Sequence, residues 1–137
     1  MATLTVTGAE ALTIDSEDVG STHTFTYTDV VNLLKQTVSV ATGSQQVLFT
    51  LGTASVGGGV IRANFRYARL RNTSATNFVT LRLLVTGAET IYLRLDAGEI
   101  FLLSHSAIDI DAAGGAFGAF ANLDSISAQA DTAAVIV

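Results

Sequence analysis

Apolar residues return at every second position along most of this chain, in short runs. Leu4 and Val6 sit among threonines, and Phe25 and Tyr27 among Thr24, Thr26 and Thr28. The same alternation recurs at Val38 and Val40, at Val47, Phe49 and Leu51, and at Ile61, Ala63, Phe65 and Tyr67. It returns at Val79 to Val85, at Ile91, Leu93 and Leu95, and at Val135 and Val137. Successive side chains of a strand point to opposite faces, so period two marks strands buried on one side. Gly, Asn, Asp and Ser separate the runs, and the abundant β-branched threonine suits a pleated surface. The pattern predicts an all-β fold of about eight to ten short, mostly antiparallel strands. The expected architecture is a single-domain β-sandwich over residues 1–137, jelly-roll-like in form. One stretch departs from it. Asp29 to Gln36, with Val30, Val31, Leu33 and Leu34 on one face, reads as a helix of about two turns.

Composition narrows the function classes. A chain of 137 residues has room for one ordinary domain with a real core. Its residues are 49% apolar and only 14% charged, and its mean hydropathy is +0.47, which excludes a disordered chain. Cysteine and proline are absent, so disulfides, cysteine zinc sites, a cysteine nucleophile and cis-proline turns are excluded. A net charge of −5 and a pI near 4.7 argue against nucleic acid as a partner. Met1-Ala-Thr-Leu-Thr has neither a basic n-region nor a long apolar h-region, so no signal peptide is expected. The longest run of small and apolar residues, Ala112 to Ala121, is too short and too glycine-rich to span a bilayer. The expectation is a soluble protein made in a cytoplasm, with no membrane partner.

An internal echo predicts two hairpins. Val-Thr-Gly-Ala-Glu occurs at Val6 to Glu10 and again at Val85 to Glu89. A three-residue Gly-Ala-Glu loop would set Val6 opposite Leu12 and Leu4 opposite Ile14. The second copy would set Val85 opposite Ile91, Leu83 opposite Leu93 and Leu81 opposite Leu95. Each register keeps the apolar residues on one face, whereas a one-residue slip would turn them to the other. The first hairpin makes residues 1–15 a candidate N-terminal arm.

Charge is segregated along the chain. All six arginines fall between Arg62 and Arg94, while residues 95–137 hold six acids and no base. Arg62 and Arg66 share a strand parity that Arg69 and Arg71 do not. Either a bulge near Tyr67 to Arg69 resets the register, or Arg69 and Arg71 point inward toward carboxylates. The expected second hairpin puts Arg82 opposite Arg94, with Asp96 as a diagonal partner. The arginines pair with the chain's own acids, or they form a patch that docks on an acidic partner surface through bidentate contacts. On the second reading the partner-interface residues are Arg62, Arg66, Arg69 and Arg71, with Phe117 and Phe120 as apolar contacts.

No reaction chemistry emerges from spacing. His23 and His105 are far apart in the sequence, and neither lies in a metal-ligand or relay pattern. Asp109-Ile110-Asp111 opens like a calcium loop but lacks the later acidic ligands, and reads as a solvated turn. Gly57-Gly58-Gly59 lacks the lysine of a phosphate loop and precedes no helix. Gly114, Gly115 and Gly118 beside Phe117 and Phe120 read as a wide turn or an adaptable contact loop. Asp96-Ala97-Gly98-Glu99 reads as a tight turn with Gly98 at positive φ. The expectation is a protein without catalysis, cofactor or metal.

The order of features in the second half resembles a known class. Residues 66–72 (Arg-Tyr-Ala-Arg-Leu-Arg-Asn) lead into Thr-Ser-Ala-Thr-Asn and Phe-Val-Thr-Leu-Arg-Leu at 73–83. Residues 92–103 then read Tyr-Leu-Arg-Leu-Asp-Ala-Gly-Glu-Ile-Phe-Leu-Leu. Ser125 to Ala130 and a closing strand at Ala133 to Val137 follow. Over residues 60–137 this resembles small β-sandwich structural proteins of tailed bacteriophages, such as capsid cement or decoration proteins and some head-fibre or neck components. The resemblance implies jelly-roll-like subunits that associate, often as trimers, on the outside of a capsid and bind its major capsid protein. It places the protein in the virion, after synthesis in a host cytoplasm. The alternative is a head-fibre, neck or tail β-module for receptor or carbohydrate binding. Residues 1–59 carry no such signature.

Overall fold

The computed structural model describes residues 2–54, 59–87, 89–108 and 120–137. It is an all-β protein, and its one helical feature among the described residues is a 3-10 turn at Arg62–Asn64. Contacts divide the chain into two compact units, Met1–Gln36 and Thr37–Val137.

The first unit is a long β-ribbon. Strands β1 (Ala2–Glu10) and β2 (Thr13–Ile14) run out, and β3 (Glu17–Asp18) and β4 (Ser21–Val30) run back. β1 pairs antiparallel with β4, and β2 with β3, in one unbroken register from Leu4↔Tyr27 through Glu10↔Ser21 to Ile14↔Glu17. The Val19 amide donates to the Leu12 carbonyl at 2.8 Å and carries the ladder across the gap between them. The ribbon turns at Asp15 and Ser16, both at positive φ (50° and 72°), the backbone of a tight two-residue hairpin turn. The hairpin expected at Gly8 to Glu10 is therefore corrected. Leu4 and Val6 face Tyr27 and Phe25, not Ile14 and Leu12, because Asp15-Ser16 takes the twist-matched turn further along the chain. The register still keeps the apolar residues together: Leu4, Val6, Leu12, Ile14, Val19, Phe25 and Tyr27 share one face, and Thr5, Thr7, Thr24 and Thr26 the other.

The helix expected over Asp29 to Gln36 does not form. Ser21–Val30 is strand, and Asp29 at φ 58° takes up the extra residue where the register shifts between Leu4↔Tyr27 and Ala2↔Val30. Beyond it Val31, Leu33 and Leu34 are exposed, so no buried face exists to stabilise two turns of helix.

The second unit holds the core. Its strands are β5 (Ser39–Val40), β6 (Gln46–Gly52), β7 (Val60–Ile61), β8 (Ala68–Arg71), β9 (Val79–Val85), β10 (Glu89–Leu95), β11 (Ile100–Leu103), β12 (Ala107–Ile108), β13 (Ala121–Ala130) and β14 (Val135–Ile136). The largest sheet runs β10-β9-β13-β6-β7, with β12 also on β13; within it β6 and β7 pair parallel. Two smaller ladders, β11–β8 and β14–β5, complete the unit. β9 alternates strictly: Val79, Leu81, Leu83 and Val85 are buried, while Thr80, Arg82 and Leu84 are half-buried on the other face. Those four pack with Leu123, Ile126, Ala128 and Ala130 of β13 and Leu48 and Leu51 of β6. Val40 and Val135 belong to the same core, and Ala68, Leu70, Phe101 and Leu103 pack against it from β8 and β11.

The second hairpin forms with its loop one residue earlier than expected. Val85 faces Glu89, Leu83 faces Ile91 and Leu81 faces Leu93. Every partner moves by two, so the faces are kept. Thr86 leaves the β9–β10 ladder because its amide and hydroxyl bond to the Asn122 carbonyl of β13, at 2.8 and 3.2 Å, and Gly87 takes the positive φ of the loop. The shift removes the expected clash of like charges: Arg82 faces Tyr92, and Arg94 faces Thr80. The expected turn at Asp96 to Glu99 is present, with Gly98 at φ 78° and the Glu99 amide donating to the Asp96 carbonyl at 3.1 Å.

Candidate functional site

The six arginines separate into engaged and outward-facing groups. The 3-10 turn at Arg62–Asn64 breaks the strand that alternation predicts through Tyr67, so Arg62 and Arg66 do not share a strand face. Arg62 turns back into its own unit. Its Nη2 donates to Asp124 Oδ1 at 2.6 Å and to the Leu51 carbonyl at 2.9 Å, and its Nε to the Leu123 carbonyl at 3.2 Å. Asp124 is aimed at it because a bulge in β13, between Leu123 and Ser125, lifts that residue out of the ladder with β9. Thr86 Oγ1 is a second donor to the carboxylate, at 3.0 Å. Arg62 thus ties β6 to β13 from within. Replacing it with methionine is expected to lower stability by about 2 kcal/mol, since a part-buried carboxylate and two carbonyls lose their donor. Thermal melting checks this, and an unchanged midpoint would contradict it.

Arg94 is also engaged. Its Nε contacts Asp96 Oδ1 at 2.6 Å, a pairing two residues along its own segment and not the expected cross-strand diagonal, and its guanidinium lies 4.1 Å from the centre of the Phe78 ring. Arg82 donates to Gln45 Oε1 at 3.2 Å. Arg66 is exposed and, among the described residues, donates to backbone carbonyls alone, those of Ala63 and Phe65, both at 3.2 Å.

Arg69 and Arg71 stand apart. Both are exposed on β8, and among the described residues neither makes an ion pair. The break at the 3-10 turn resets the parity, so Ala68 and Leu70 face the core while Arg69 and Arg71 face out; the inward alternative is corrected. β11 lies beside them in a fixed register, Ile100↔Arg71 and Leu102↔Arg69. Directly opposed residues share a face. Ile100 and Leu102 accordingly stand 49% and 56% exposed, while Phe101 and Leu103 turn to the core. The outer face of the β8–β11 ladder is therefore two aliphatic side chains set against two arginines. Alternation could not single out Ile100 and Leu102, since Ile100 to Leu103 is four apolar residues in a row. Only the arginine parity on β8, carried across the ladder, tells which two face out.

The buried Asn72 fixes the end of β8. Its amide nitrogen donates to the Asn77 and Leu95 carbonyls at 2.8 and 3.1 Å, and its side-chain oxygen accepts from the Ser74 amide at 2.9 Å. Ser74 Oγ accepts from the amides of Thr76 and Asn77 in turn. The Asn72 amide donates to the Glu99 carbonyl at 3.0 Å and extends the β8–β11 ladder by one step. These bonds hold the strand that presents Arg69 and Arg71.

Of the apolar candidates, Phe120 is 74% exposed, and Phe117 lies outside the described residues, as do Asp109, Asp111 and the glycines 114–118. Each histidine has a local partner. His105 Nδ1 accepts from the Ala107 amide at 3.0 Å. On the ribbon, Ser21 Oγ lies 3.0 Å from His23 Nε2 and 3.4 Å from Glu10 Oε2. A nucleophilic relay needs the carboxylate on the second imidazole nitrogen, to orient the base; here it reaches the serine itself. Among the described residues, no three His, Asp or Glu side chains gather as a metal site would require.

No protein-family model, no curated protein and no solved structure matches the chain.

Proposed function

We propose that this chain is a non-catalytic structural protein that holds protein subunits together, in the manner of the capsid cement or decoration proteins that residues 60–137 resemble. The observation that carries this reading is the outer face of β8–β11, where Arg69 and Arg71, without an ion pair among the described residues, flank exposed Ile100 and Leu102. An aliphatic patch rimmed by guanidinium groups suits a protein surface that offers carboxylates around apolar side chains. One such contact is weak. Several copies presented together on a repeating lattice bind far more tightly, and binding only the assembled shell stabilises that shell by mass action. The partner in this reading is a major capsid protein, the chain acts as a homo-oligomer such as a trimer, and its place is the outer surface of a virion.

Co-sedimentation with capsid shells tests this. Arg69→Glu with Arg71→Glu is expected to weaken binding at least about tenfold, because two favourable charge pairs become repulsive. Arg69→Lys with Arg71→Lys is expected to fall between, since lysine lacks the planar fork for bidentate contacts. Lys35→Glu, a charge change in the first unit, serves as the control. Undiminished sedimentation of the double glutamate variant would overturn the reading.

A second reading has its own observation. Tyr92 is 62% exposed on the outer face of the large sheet, opposite Arg82. An exposed ring beside a guanidinium suits a sugar, and supports a fibre, neck or tail module for receptor or carbohydrate binding. Loss of glycan binding on Tyr92→Ala, with capsid binding retained, would favour it.

A further inference from the structure

The N-terminal ribbon has a face that nothing among the described residues of its own unit covers. Two-stranded ribbons are marginal in water unless a third strand or a packed layer covers them. This one runs to about 40 Å at the usual rise per residue. Its apolar face leaves Leu12, Ile14, Val19 and Phe25 at least half exposed. Near the turn, that face has a definite character. Ile14 faces Glu17, the Leu12 carbonyl binds the Val19 amide, and Glu10 faces Ser21, so Glu10 and Glu17 bracket Leu12, Ile14 and Val19 on the same side. Asp15 lies in the turn next to them, Asp18 pairs with Thr13 on the opposite face, and the whole unit holds five acids against one lysine.

That surface is the counterpart of the β8–β11 face. One offers three aliphatic side chains between carboxylates. The other offers Ile100 and Leu102 beside Arg69 and Arg71. The acids of the ribbon tip are exposed and have no lysine or arginine of their own unit beside them: its one lysine, Lys35, is separated from the tip by the whole return strand. Two unlike surfaces that fit cannot both be satisfied by stacking identical faces. They join copies head to tail, and such a contact closes into a ring when the rotation allows.

We infer that the ribbon tip of one copy docks on the β8–β11 face of a second copy, so that Glu10 and Glu17 meet Arg69 and Arg71 around a shared aliphatic patch. This rests on the reading of that face as a docking surface and names what fills it. Capsid attachment then depends on the arginines through the avidity of the assembled ring.

Light scattering on the full chain tests the contact, using Glu10→Lys with Glu17→Lys, and Arg69→Glu with Arg71→Glu. All four positions are exposed, and Asp15 and Asp18 are left alone because Asp15 holds the turn and Asp18 Oδ1 accepts from the Gly20 amide at 2.9 Å. The wild type is expected to show a multiple of the chain mass. Each double variant is expected to fall to a single chain at the same concentration. A chain carrying all four changes is expected to recover the wild-type mass, since the lysines of every tip then meet the glutamates of every face, whatever the number of copies in the ring. Recovery also shows that these substitutions leave the chain folded. A single-chain wild type at every concentration would overturn the inference. So would a fourfold variant that stays a single chain. If the arginine variant dissociates and the glutamate variant does not, the ribbon tip is not the occupant, while the docking face stands. If neither variant changes the mass or the co-sedimentation, the docking face itself fails.

Discussion

Leu81→Ala is expected to destabilise the second unit by about 3 kcal/mol, the middle of the range for large-to-small changes at fully buried sites. Leu81 is fully buried at the centre of β9, which lies between β10 and β13 in the largest sheet. It faces Leu93 on one side and Ala128 on the other. Ala128 is already small, so the neighbours offer little bulk to refill the space. For a unit of this size the loss corresponds to a fall of roughly 15 °C in melting temperature. Leu84→Ala, on the half-buried outer face of the same strand, is expected to cost well under half as much. Calorimetry of the two variants checks the pair. Equal losses would mean that the inner face of β9 is not the core.

Asn72→Ala is expected to cost about 3 kcal/mol as well, for a different reason. Here the loss is not volume. The Leu95 and Asn77 carbonyls and the Ser74 amide each lose a partner in a place where Asn72 is fully buried. Buried polar groups left without a partner carry their desolvation penalty. Asn72→Asp keeps the shape but turns two donors into acceptors facing carbonyls, and is expected to be at least as damaging. Denaturant unfolding gives the measurement. A loss below about 1 kcal/mol would mean that the loop 73–77 satisfies itself. Because Asn72 ends β8, the variant is also expected to loosen the strand that carries Arg69 and Arg71.

Period two made the fold class legible, and β9 shows why: its four inward residues alternate without interruption and are all buried. What alternation could not supply is pairing. Val6 is apolar whether it faces Leu12 or Phe25, so both registers satisfy the pattern. Positive φ at Asp15 and Ser16 decides between them, and nothing in an Asp-Ser pair announces it as glycine would. The second hairpin moved for a related reason. Thr86 is drawn to the Asn122 carbonyl, a contact between residues 36 apart in sequence that no local pattern records. Asp29 to Gln36 looked helical because its spacing fits one apolar face, but a helix that short needs a surface to lie on.

The arginines divide along the same line. Their number and clustering were plain in the sequence. Which of them are spoken for was not, because Arg62 finds Asp124 across 62 positions and through a bulge. Arg69 and Arg71 face out because a 3-10 turn intervenes at Arg62–Asn64 and breaks the parity. Ile100 and Leu102, hidden in an apolar run, become part of the surface only through their register with β8.

Hydroxyl-radical footprinting of side chains addresses the docking face most directly. Label would be compared on the free chain, diluted until light scattering shows single copies, and on the chain assembled on capsid shells. Ile100 and Leu102 are expected to lose most of their label on assembly, with Tyr92 unchanged. Ile100 and Leu102 labelled equally in both states, with Tyr92 protected instead, would contradict adhesion through β8–β11.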